Sequence, residues 1–385
     1  MSRLALSTIS PLIMQSEIRS MSVECDRVGG INLAQGICDT ELPGIVAEAA
    51  IQAIHDGHNI YTRLDGITAL RQAISGKLHR HNGIAADPDT EVLVTSGATG
   101  AFSAASLALL NPGDEVLIFE PFYGYHLSML RSMRICPVVV PLAAPEFQLD
   151  LDAVRGAITP KTRAVVLNTP SNPSGKVFTL AELQALAEIV VEHDLFVFSD
   201  EIYEYFLFDG ARHISIATLP GMAERTVTIC GFSKTFSITG WRVGYLAASS
   251  RWIPAISYFH DLTYVCTPAP LQFGAAAGLL ELPQAFYDSL STAYEQKRNQ
   301  LCATLLQVGM TPSTPAGAYY VLADSSRIAG RTAPAKARTL LAATGVASVA
   351  GSAFFAEGRG DNLLRFCFGK KPHDLDRACA ALQVL

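Results

Sequence analysis

Lys234 is a candidate for carbonyl chemistry because of its residue type and its setting. It lies in the segment Gly231–Gly244, which is rich in small and hydroxyl residues and follows a predicted strand, and Arg242 comes eight positions later. A lysine that is desolvated or close to another cation has a lowered pKa, which supplies the neutral amine that forms imines. A surface lysine is the commoner explanation of such a residue on its own, so the interpretation needs support from other segments.

Three other segments place polar groups directly after predicted strands. Asp200 lies in Ser199–Tyr203, where open α/β sheets bind ligands, although a helix N-cap would also explain an aspartate there. The loop Asn168–Gly175 contains two prolines and a glycine that fix its shape, and a rigid turn with no further role is the alternative. Thr95–Gly100 joins a strand to a helix, where backbone N–H groups and the helix dipole favour an anion. This last segment matches neither GxGxxG nor GxxxxGK[ST], so a nicotinamide-dependent oxidoreductase is not favoured.

The elements that must position these segments alternate between amphipathic helices and short β-branched strands. Helices are predicted at 44–57, 67–82, 97–110 and 285–308, and strands at 91–95, 115–119, 135–140, 163–168, 195–199, 226–230, 245–248, 318–322 and 363–368. This order predicts an α/β fold that has a large domain with a mostly parallel, doubly wound sheet and a smaller α+β domain. We expect an N-terminal segment at 1–42 that contributes to the small domain and a substrate loop, a large domain at 43–283 and a small C-terminal domain at 284–385.

Taken together and in this order, the segments resemble the class I/II family of fold-type I pyridoxal 5'-phosphate (PLP)-dependent aminotransferases. The resemblance extends from Leu33–Gly36 through Tyr61–Gly66 to Leu364–Gly369, and the segment around Lys234 fits the family's cofactor-attachment pattern. It implies PLP as cofactor and transfer of an amino group between an L-amino acid and a 2-oxo acid in ping-pong half-reactions. A PLP-dependent carbon–sulfur β-lyase would use the same residues and remains the alternative.

The resemblance also implies which residues hold the cofactor ring. Lys234 is expected to form the imine (aldimine) with PLP and, once released, to carry the proton from the substrate Cα to the cofactor C4′. Asp200 is expected to pair with the pyridine nitrogen and keep it protonated. Tyr203 and Asn172 are expected to hydrogen-bond the phenolic oxygen of the ring, and Tyr123 to stack on its face.

The cofactor phosphate is expected at a turn and two neighbouring side chains. The turn is matched by Gly97, Ala98 and Thr99, and the side chains by Ser233 and Arg242.

Three further residues are implied in substrate binding and assembly. Arg365 matches the arginine that binds the α-carboxylate as a bidentate fork, and Gly36 would let the backbone approach the same carboxylate. Tyr61 resembles a tyrosine that reaches the phosphate of the neighbouring subunit, so a homodimer with shared active sites is expected.

Several positions depart from the family's usual pattern and bear on specificity. Gly231 stands where relatives often have a phosphate-binding serine, and Cys38 stands where a proline is frequent, which places the substrate pocket in question. The segment 264–270 holds no arginine, so a dedicated aspartate enzyme is less expected. Glu17, Asp39 and Glu41 suggest a polar or cationic substrate, although solvated surface carboxylates are the commoner explanation.

Composition excludes several other classes of protein. A net charge of −6 argues against a nucleic-acid partner, and hence against a PLP-sensing domain of a transcription regulator. The chain has no stretch that approaches eighteen uncharged apolar residues, and its start lacks the pattern of a signal peptide, so we expect no membrane partner and a cytoplasmic location. The eight cysteines form no CxxC pair and are expected to be reduced.

No metal site is expected either. The histidines His55, His58, His79 and His81 lie on predicted helices without an accompanying ligand cluster, and we expect them on exposed helix faces.

Overall fold

The computed structural model describes residues 6–13, 17–356 and 358–385. None of the helices in these ranges is both long enough and apolar enough to cross a membrane. The α-helices are α1 (Glu17–Arg27), α2 (Gly44–His55), α3 (Thr68–Lys77), α4 (Gly97–Leu109), α5 (Gly124–Ser132), α6 (Leu151–Ala157), α7 (Leu180–Glu192), α8 (Ile253–Tyr264), α9 (Ala269–Glu281), α10 (Gln284–Gln307), α11 (Ala333–Thr344) and α12 (Pro372–Leu382).

The strands form three separate sheets. They are β1 (Ile31–Asn32), β2 (Val92–Ser96), β3 (Glu115–Glu120), β4 (Cys136–Pro141), β5 (Thr162–Asn168), β6 (Phe196–Asp200), β7 (Thr226–Gly231), β8 (Val243–Ala247), β9 (Pro312–Ser313), β10 (Tyr320–Asp324), β11 (Val346–Ala347), β12 (Val349–Ala350) and β13 (Leu363–Cys367).

The largest sheet has seven strands in the order β2-β8-β7-β6-β5-β3-β4. All its neighbouring pairs are parallel except those made by β8, which runs antiparallel to β2 and β7. This is the mixed, mostly parallel α/β sheet that the sequence predicts. Because β5, β6 and β7 are parallel neighbours, the residues at their carboxyl ends lie along one edge of the sheet.

Both faces of this sheet are covered by helices, which explains the apolar character of its strands. Successive residues of a strand point to opposite faces. Ala164 and Val166 of β5 therefore pack in one cluster with α4, α5 and α8, whereas Val165 and Leu167 pack in another with α6 and α7. Burial on both faces fixes the register of the strands and hence the position of their carboxyl ends.

The two smaller sheets are built from strands of the C-terminal part of the chain, together with β1 from the N-terminal segment. One has four antiparallel strands in the order β12-β13-β10-β9, and the other pairs β1 in parallel with β11. The pairing of Ile31 with Val346 brings the N-terminal segment to the C-terminal part of the chain. This pairing is compatible with the division at 42/43 and 283/284, which stays a prediction.

Two predicted elements differ from the observed ones at their ends. The helix expected at 67–82 is α-helical only to Lys77, and a π-helical turn follows at Leu78–Asn82, which ends at Gly83 with φ +72°. The strand expected at 318–322 begins at Tyr320, because Ala318 has φ +58° and its N–H donates to the carbonyl of Phe206.

Two of the histidines differ from the prediction that all four lie on exposed helix faces. His58 lies after the end of α2, where its ring stacks on Phe273. His81 is half-buried in the π-helical turn and stacks on Tyr205. Burial lowers the pKa of His81 to about 4, so this side chain is neutral at pH 7.

A buried ion pair joins the end of α3 to the segment after β6. Lys77 Nζ pairs with Glu204 Oε1, and the two side chains are 5% and 2% exposed. Lys77 also donates to Asn82 Oδ1 at 2.8 Å and to the Tyr245 hydroxyl at 3.1 Å. Burial opposes ionisation of Glu204, but Lys77 outweighs it and lowers the pKa of Glu204 to about 2. The Glu204 carboxylate is therefore ionised at neutral pH.

Glu204 also belongs to a group of three side chains whose ligand atoms lie within 4.8 Å of one another. The other two are Glu201 and His213, and no second such group of three occurs among the described residues. The carboxylates already accept hydrogen bonds from protein donors, including Ser215 Oγ at 2.6 Å and Lys77. Protein donors therefore satisfy the two carboxylates, whereas the buried Nδ1 of His213 has no partner among the described residues.

We expect Lys77→Met to lower the free energy of unfolding by about 3–5 kcal/mol, because it leaves the Glu204 carboxylate buried without its counter-ion. Urea unfolding at pH 7 measures the change. The control is Lys161→Met at an exposed site, where a change of less than about 0.5 kcal/mol is expected. The pKa of Glu204 lies below its unfolded value of 4.5, so the contribution of the pair is complete above pH 4.5 and is lost as the pH falls towards 2. The difference between the wild type and Lys77→Met should shrink over that range.

Candidate active site

A cavity of about 440 Å³ opens at the carboxyl edge of the large sheet. Most residues that the sequence predicts for the site line this cavity: Gly36, Ala98, Thr99, Tyr123, Asn172, Asp200, Tyr203, Ser233, Lys234, Arg242 and Arg365. Gly97 lies beside it against Arg242. Tyr61 is not part of the lining and its side chain is 78% exposed.

Lys234 lies three residues after the end of β7 and is half-buried at the cavity. Its Nζ donates to the carbonyl of Gly36 at 3.1 Å, and it lies 5.9 Å from the centre of the Tyr203 ring. Burial lowers the pKa of Lys234 to about 8, with a smaller lowering effect of the Arg242 cation and an opposing effect of Cys38, Cys367 and Asp200. The amine is therefore neutral in a substantial fraction of molecules near pH 8.

Asp200 closes β6 and is buried. Its Oδ2 lies 3.1 Å from His126 Nε2, and its Oδ1 accepts from the backbone N–H of Ile202. His126 is also buried, and its ring packs on Phe102 of α4. The carboxylate is thus held in one orientation at the mouth of the sheet, where it is able to accept a hydrogen bond from a protonated ring nitrogen.

The Asn172 side chain is positioned by the end of β5. Asn168 Oδ1 accepts from the backbone N–H of Asn172 at 2.8 Å, and Asn168 Nδ2 donates to the carbonyl of Asp200 at 3.0 Å. These bonds tie the loop to β6. They leave the Asn172 amide directed into the cavity, where its Oδ1 accepts from Arg365.

Tyr203 provides a second hydroxyl at the cavity. Its oxygen lies 2.9 Å from the hydroxyl of Tyr320, a residue of β10 in the four-stranded sheet. Burial raises the pKa of both tyrosines, so both stay protonated and are able to donate. Tyr123 lines the same cavity at the start of α5, and its ring meets the His126 ring edge-on at 5.2 Å between centres.

The start of α4 forms a cradle for an anion. Gly97 begins the helix with φ +69°, and a Cβ there would lie 2.5 Å from Arg242 Nη2, so the guanidinium packs directly on the turn. Gly244 of β8 also requires glycine, because its Cβ would lie 2.7 Å from the N atom of Ala98. Backbone N–H groups at the start of a helix and a guanidinium together bind phosphate well.

Arg365 lies on β13 and is fully buried. Its Nη1 donates to Asn172 Oδ1 at 2.9 Å and its Nη2 to the carbonyl of Ala34 at 2.6 Å. Its Nε is buried and has no partner among the described residues. A buried N–H without a partner is costly, so this donor is available for a ligand carboxylate in the cavity.

Because Gly36 has no side chain, the backbone at this position lies directly against the Tyr320 hydroxyl. A Cβ at position 36 would collide with the Tyr320 hydroxyl.

The residues that raised questions about specificity lie outside the lining of this cavity. Cys38 is buried, and its Sγ lies 2.6 Å from the Tyr294 hydroxyl. Asp39 pairs with Lys370 at 3.1 Å, and Glu41 is exposed. None of Glu17, Asp39 and Glu41 lines this cavity, so the structure gives the hypothesis of a polar or cationic substrate no support there, and it stays a prediction.

Sequence reasoning missed two residues that the structure brings to the site. His126 follows Tyr123 by three positions, so helical spacing could have indicated that the two share a side of α5. Tyr320 lies on a strand predicted only as part of the small domain, and no local signal marks it as a partner of Tyr203.

Comparison with known proteins agrees with this geometry. The family model described as aminotransferase class I and II matches residues 28–382. A probable N-succinyldiaminopimelate aminotransferase of Mycobacterium tuberculosis is 38% identical over 95% of this chain and 94% of its own length. A methionine aminotransferase of Escherichia coli is 34% identical over 98% of this chain and 100% of its own length.

Solved structures give the same result. The structure of the M. tuberculosis N-succinyldiaminopimelate aminotransferase has a TM-score of 0.95 with 36% identity, and covers 99% of this chain and 100% of its own. An E. coli protein with a methionine aminotransferase function also has a TM-score of 0.95, with 32% identity, and covers 99% of this chain and 100% of its own. The chain therefore belongs to the class I and II aminotransferase family, whose members are enzymes of fold type I that use pyridoxal phosphate.

Proposed function

We propose that this protein uses PLP, held by Lys234, to move an amino group between an L-amino acid and a 2-oxo acid in two half-reactions. The observation that carries this proposal is the convergence of two groups on one cavity. One is the Lys234 amine with its lowered pKa, and the other is the unpartnered Nε–H of the buried Arg365. The neutral amine is able to form an imine with a carbonyl group, and the Nε–H group is able to donate a hydrogen bond to a carboxylate.

The donor set of the cavity fits each part of the cofactor. The start of α4 at Gly97–Thr99, together with Ser233 and Arg242, would hold the phosphate. Asp200 would pair with the pyridine nitrogen.

The ring face and its oxygen have their own partners. Tyr123 would stack on the ring, and Asn172 and Tyr203 would donate to the phenolic oxygen.

When bound, PLP supplies an aldehyde for the amino group and an electron-poor ring that stabilises the carbanion left by the departing α-proton. Residues of the protein orient the substrate, accept the proton and hold the ring nitrogen in its protonated form. Arg365 orients the substrate through its α-carboxylate, so Cα faces Lys234. Lys234 Nζ, neutral once it is released, accepts the α-proton and holds it for return. Asp200, fixed by His126, keeps the pyridine nitrogen protonated.

We further propose a homodimer in which Tyr61 of each chain serves the phosphate of the other. Support comes from its position: Tyr61 lies outside the cavity of its own chain and is 78% exposed, next to Ile60, which is 81% exposed. Two large apolar side chains in succession at the surface are typical of an interface. A cytoplasmic location is part of the same proposal, and all eight cysteines are free thiols in the structure.

The β-lyase alternative is not favoured, because relatives that match more than nine tenths of the chain are named as aminotransferases. The two reactions give different products. Incubation with an amino donor and a 2-oxo acid should exchange the amino group stoichiometrically, whereas pyruvate and ammonia from a β-substituted amino acid would support the lyase.

Lys234→Ala should lower the rate of amino exchange by roughly a hundredfold to ten-thousandfold, because it removes the group that moves the proton. Lys371→Ala, at an exposed site, is the control and should match the wild type. Borohydride treatment of the wild-type holoenzyme, followed by peptide mapping, should attach the cofactor to Lys234. Attachment to another lysine would refute the proposal.

His126→Phe should lower kcat about tenfold to a hundredfold, because it removes a hydrogen bond to the charged Asp200. His126→Gln keeps a donor and should recover part of the loss. The KM for the amino donor should change little, because the substrate carboxylate is assigned to Arg365 and not to His126 or Asp200. Equal kcat values for the two variants would show that the hydrogen bond does not contribute.

Mixing subunits tests the shared site directly. Inactive Lys234→Ala chains and impaired Tyr61→Ala chains should regain activity when they are mixed and allowed to exchange. One site of each hybrid then combines an intact Lys234 with an intact Tyr61, so recovery should approach about a quarter of the wild-type activity for random pairing of two chains. If Tyr61 served its own chain, no hybrid site would be intact and mixing would restore nothing.

A further inference from the structure

The side chain of Tyr320 lines the active-site cavity, but the proposed reaction gives its hydroxyl no task. Tyr320 belongs to β10, where Leu322 pairs opposite Arg365 of β13, so Tyr320 is the diagonal neighbour of that arginine on the same face of the sheet. The Arg365 guanidinium lies 4.4 Å from the centre of the Tyr320 ring. The ring therefore supports the buried cation, and packing accounts for it. Packing does not account for the hydroxyl.

The hydroxyl of Tyr320 meets the hydroxyl of Tyr203 at 2.9 Å. This contact joins the four-stranded sheet to the segment that follows β6 of the large sheet. Both tyrosines are buried, and burial raises the pKa of each, so both keep their protons at neutral pH. A hydroxyl carries one hydrogen and two lone pairs. One of the two tyrosines therefore donates in this pair and the other accepts.

The proposed contact with the cofactor sets the direction of this hydrogen bond. If Tyr203 donates its single hydrogen to the phenolic oxygen of the ring, it has none left for Tyr320. The bond between the two tyrosines must then run from Tyr320 to the oxygen of Tyr203. Accepting this bond polarises the O–H group of Tyr203 and makes it a stronger donor, because hydrogen bonds in a chain reinforce one another.

We infer that Tyr320 is a positioning residue whose hydroxyl directs the hydrogen of Tyr203 towards the phenolic oxygen of the cofactor and strengthens that bond. The inference rests on the proposed function and adds a residue to its cofactor site. Gly36 leaves room for the arrangement, since a Cβ there would collide with the Tyr320 hydroxyl. Under the alternative, the two hydroxyls only satisfy each other, and the cofactor is unaffected.

Tyr320→Phe tests the inference because it removes the hydroxyl and keeps the ring beside Arg365. The measurement is a pH titration of the visible absorbance of the holoenzyme, which gives the pKa of the imine between PLP and Lys234. A weaker bond from Tyr203 leaves more negative charge on the phenolic oxygen, which holds the imine proton. We therefore expect the imine pKa to rise by about 0.5 to 1 unit, as for one hydrogen bond. An imine pKa equal to that of the wild type would overturn the inference.

A double variant shows whether Tyr320 acts through Tyr203. Tyr203→Phe should raise the imine pKa at least as much as Tyr320→Phe, and the variant with both changes should match Tyr203→Phe alone. Additive shifts would overturn the inference, because Tyr320 would then act on the cofactor without Tyr203. The control is Tyr287→Phe, which removes a buried hydroxyl that donates to the carbonyl of Gly278 outside the cavity lining. Its imine pKa should match the wild type.

Tyr320→Leu separates the hydroxyl from the ring. The KM for the amino donor should stay unchanged in Tyr320→Phe, whereas in Tyr320→Leu it should rise about threefold to tenfold, because the ring that faces Arg365 is lost. Both variants should raise the imine pKa, so either one decides the inference if the other fails to fold.

The wild-type protein distinguishes the two possible failures. If reconstitution with PLP gives no visible absorbance, the proposed function itself is wrong. If the wild type titrates normally and Tyr320→Phe titrates at the same pH, only the inference about Tyr320 is overturned.

Discussion

The buried guanidinium of Arg365 holds together three segments that lie far apart in the sequence. It belongs to the four-stranded sheet, donates to Asn172 in a loop of the seven-stranded sheet, and donates to the carbonyl of Ala34 in the N-terminal segment. An arginine stays charged, and an uncompensated buried charge is costly. The rings of Tyr320 and Phe354 face the guanidinium at 4.4 and 4.7 Å, which offsets part of that cost. The remaining positive charge makes the cavity receptive to a substrate carboxylate.

Arg365 lies opposite Asn172, Asp200 and Lys234 in the cavity, and the large sheet fixes the positions of these three residues. Asn172 and Asp200 follow neighbouring parallel strands, and Lys234 follows the next one. Both faces of β5, β6 and β7 are buried. A shift of register in these strands would therefore expose apolar side chains on one face of the sheet. Core packing therefore fixes the strand ends that carry the amine, the carboxylate and the amide.

Much of this arrangement follows from the sequence, because strands buried on both faces are continuous apolar runs and their ends carry the polar residues. That rule and the family resemblance together located Asp200, Asn172 and Lys234. The rule does not reach contacts between distant elements. The partnership of Tyr203 with Tyr320 joins residues 117 apart, and that of His126 with Asp200 depends on how α5 packs. Local sequence patterns do not predict either of these two contacts.

The same limit applies to α1. In sequence, Arg19 is indistinguishable from a solvated surface residue. Only the tertiary structure brings Ile18 and Arg19 to the lining of the active-site cavity.

Different elements supply the proposed reacting groups and the rest of the cavity wall. Asn172, Asp200 and Lys234 lie at or just after the ends of strands of the large sheet, whereas Ile18 and Arg19 come from α1. A change in α1 therefore leaves the strand ends that carry the amine, the carboxylate and the amide unaltered. Relatives whose names specify N-succinyldiaminopimelate and methionine share this fold at the same TM-score of 0.95. Such a difference in substrate within one fold is expected when specificity depends on a few residues at the cavity wall and catalysis depends on the ends of buried strands.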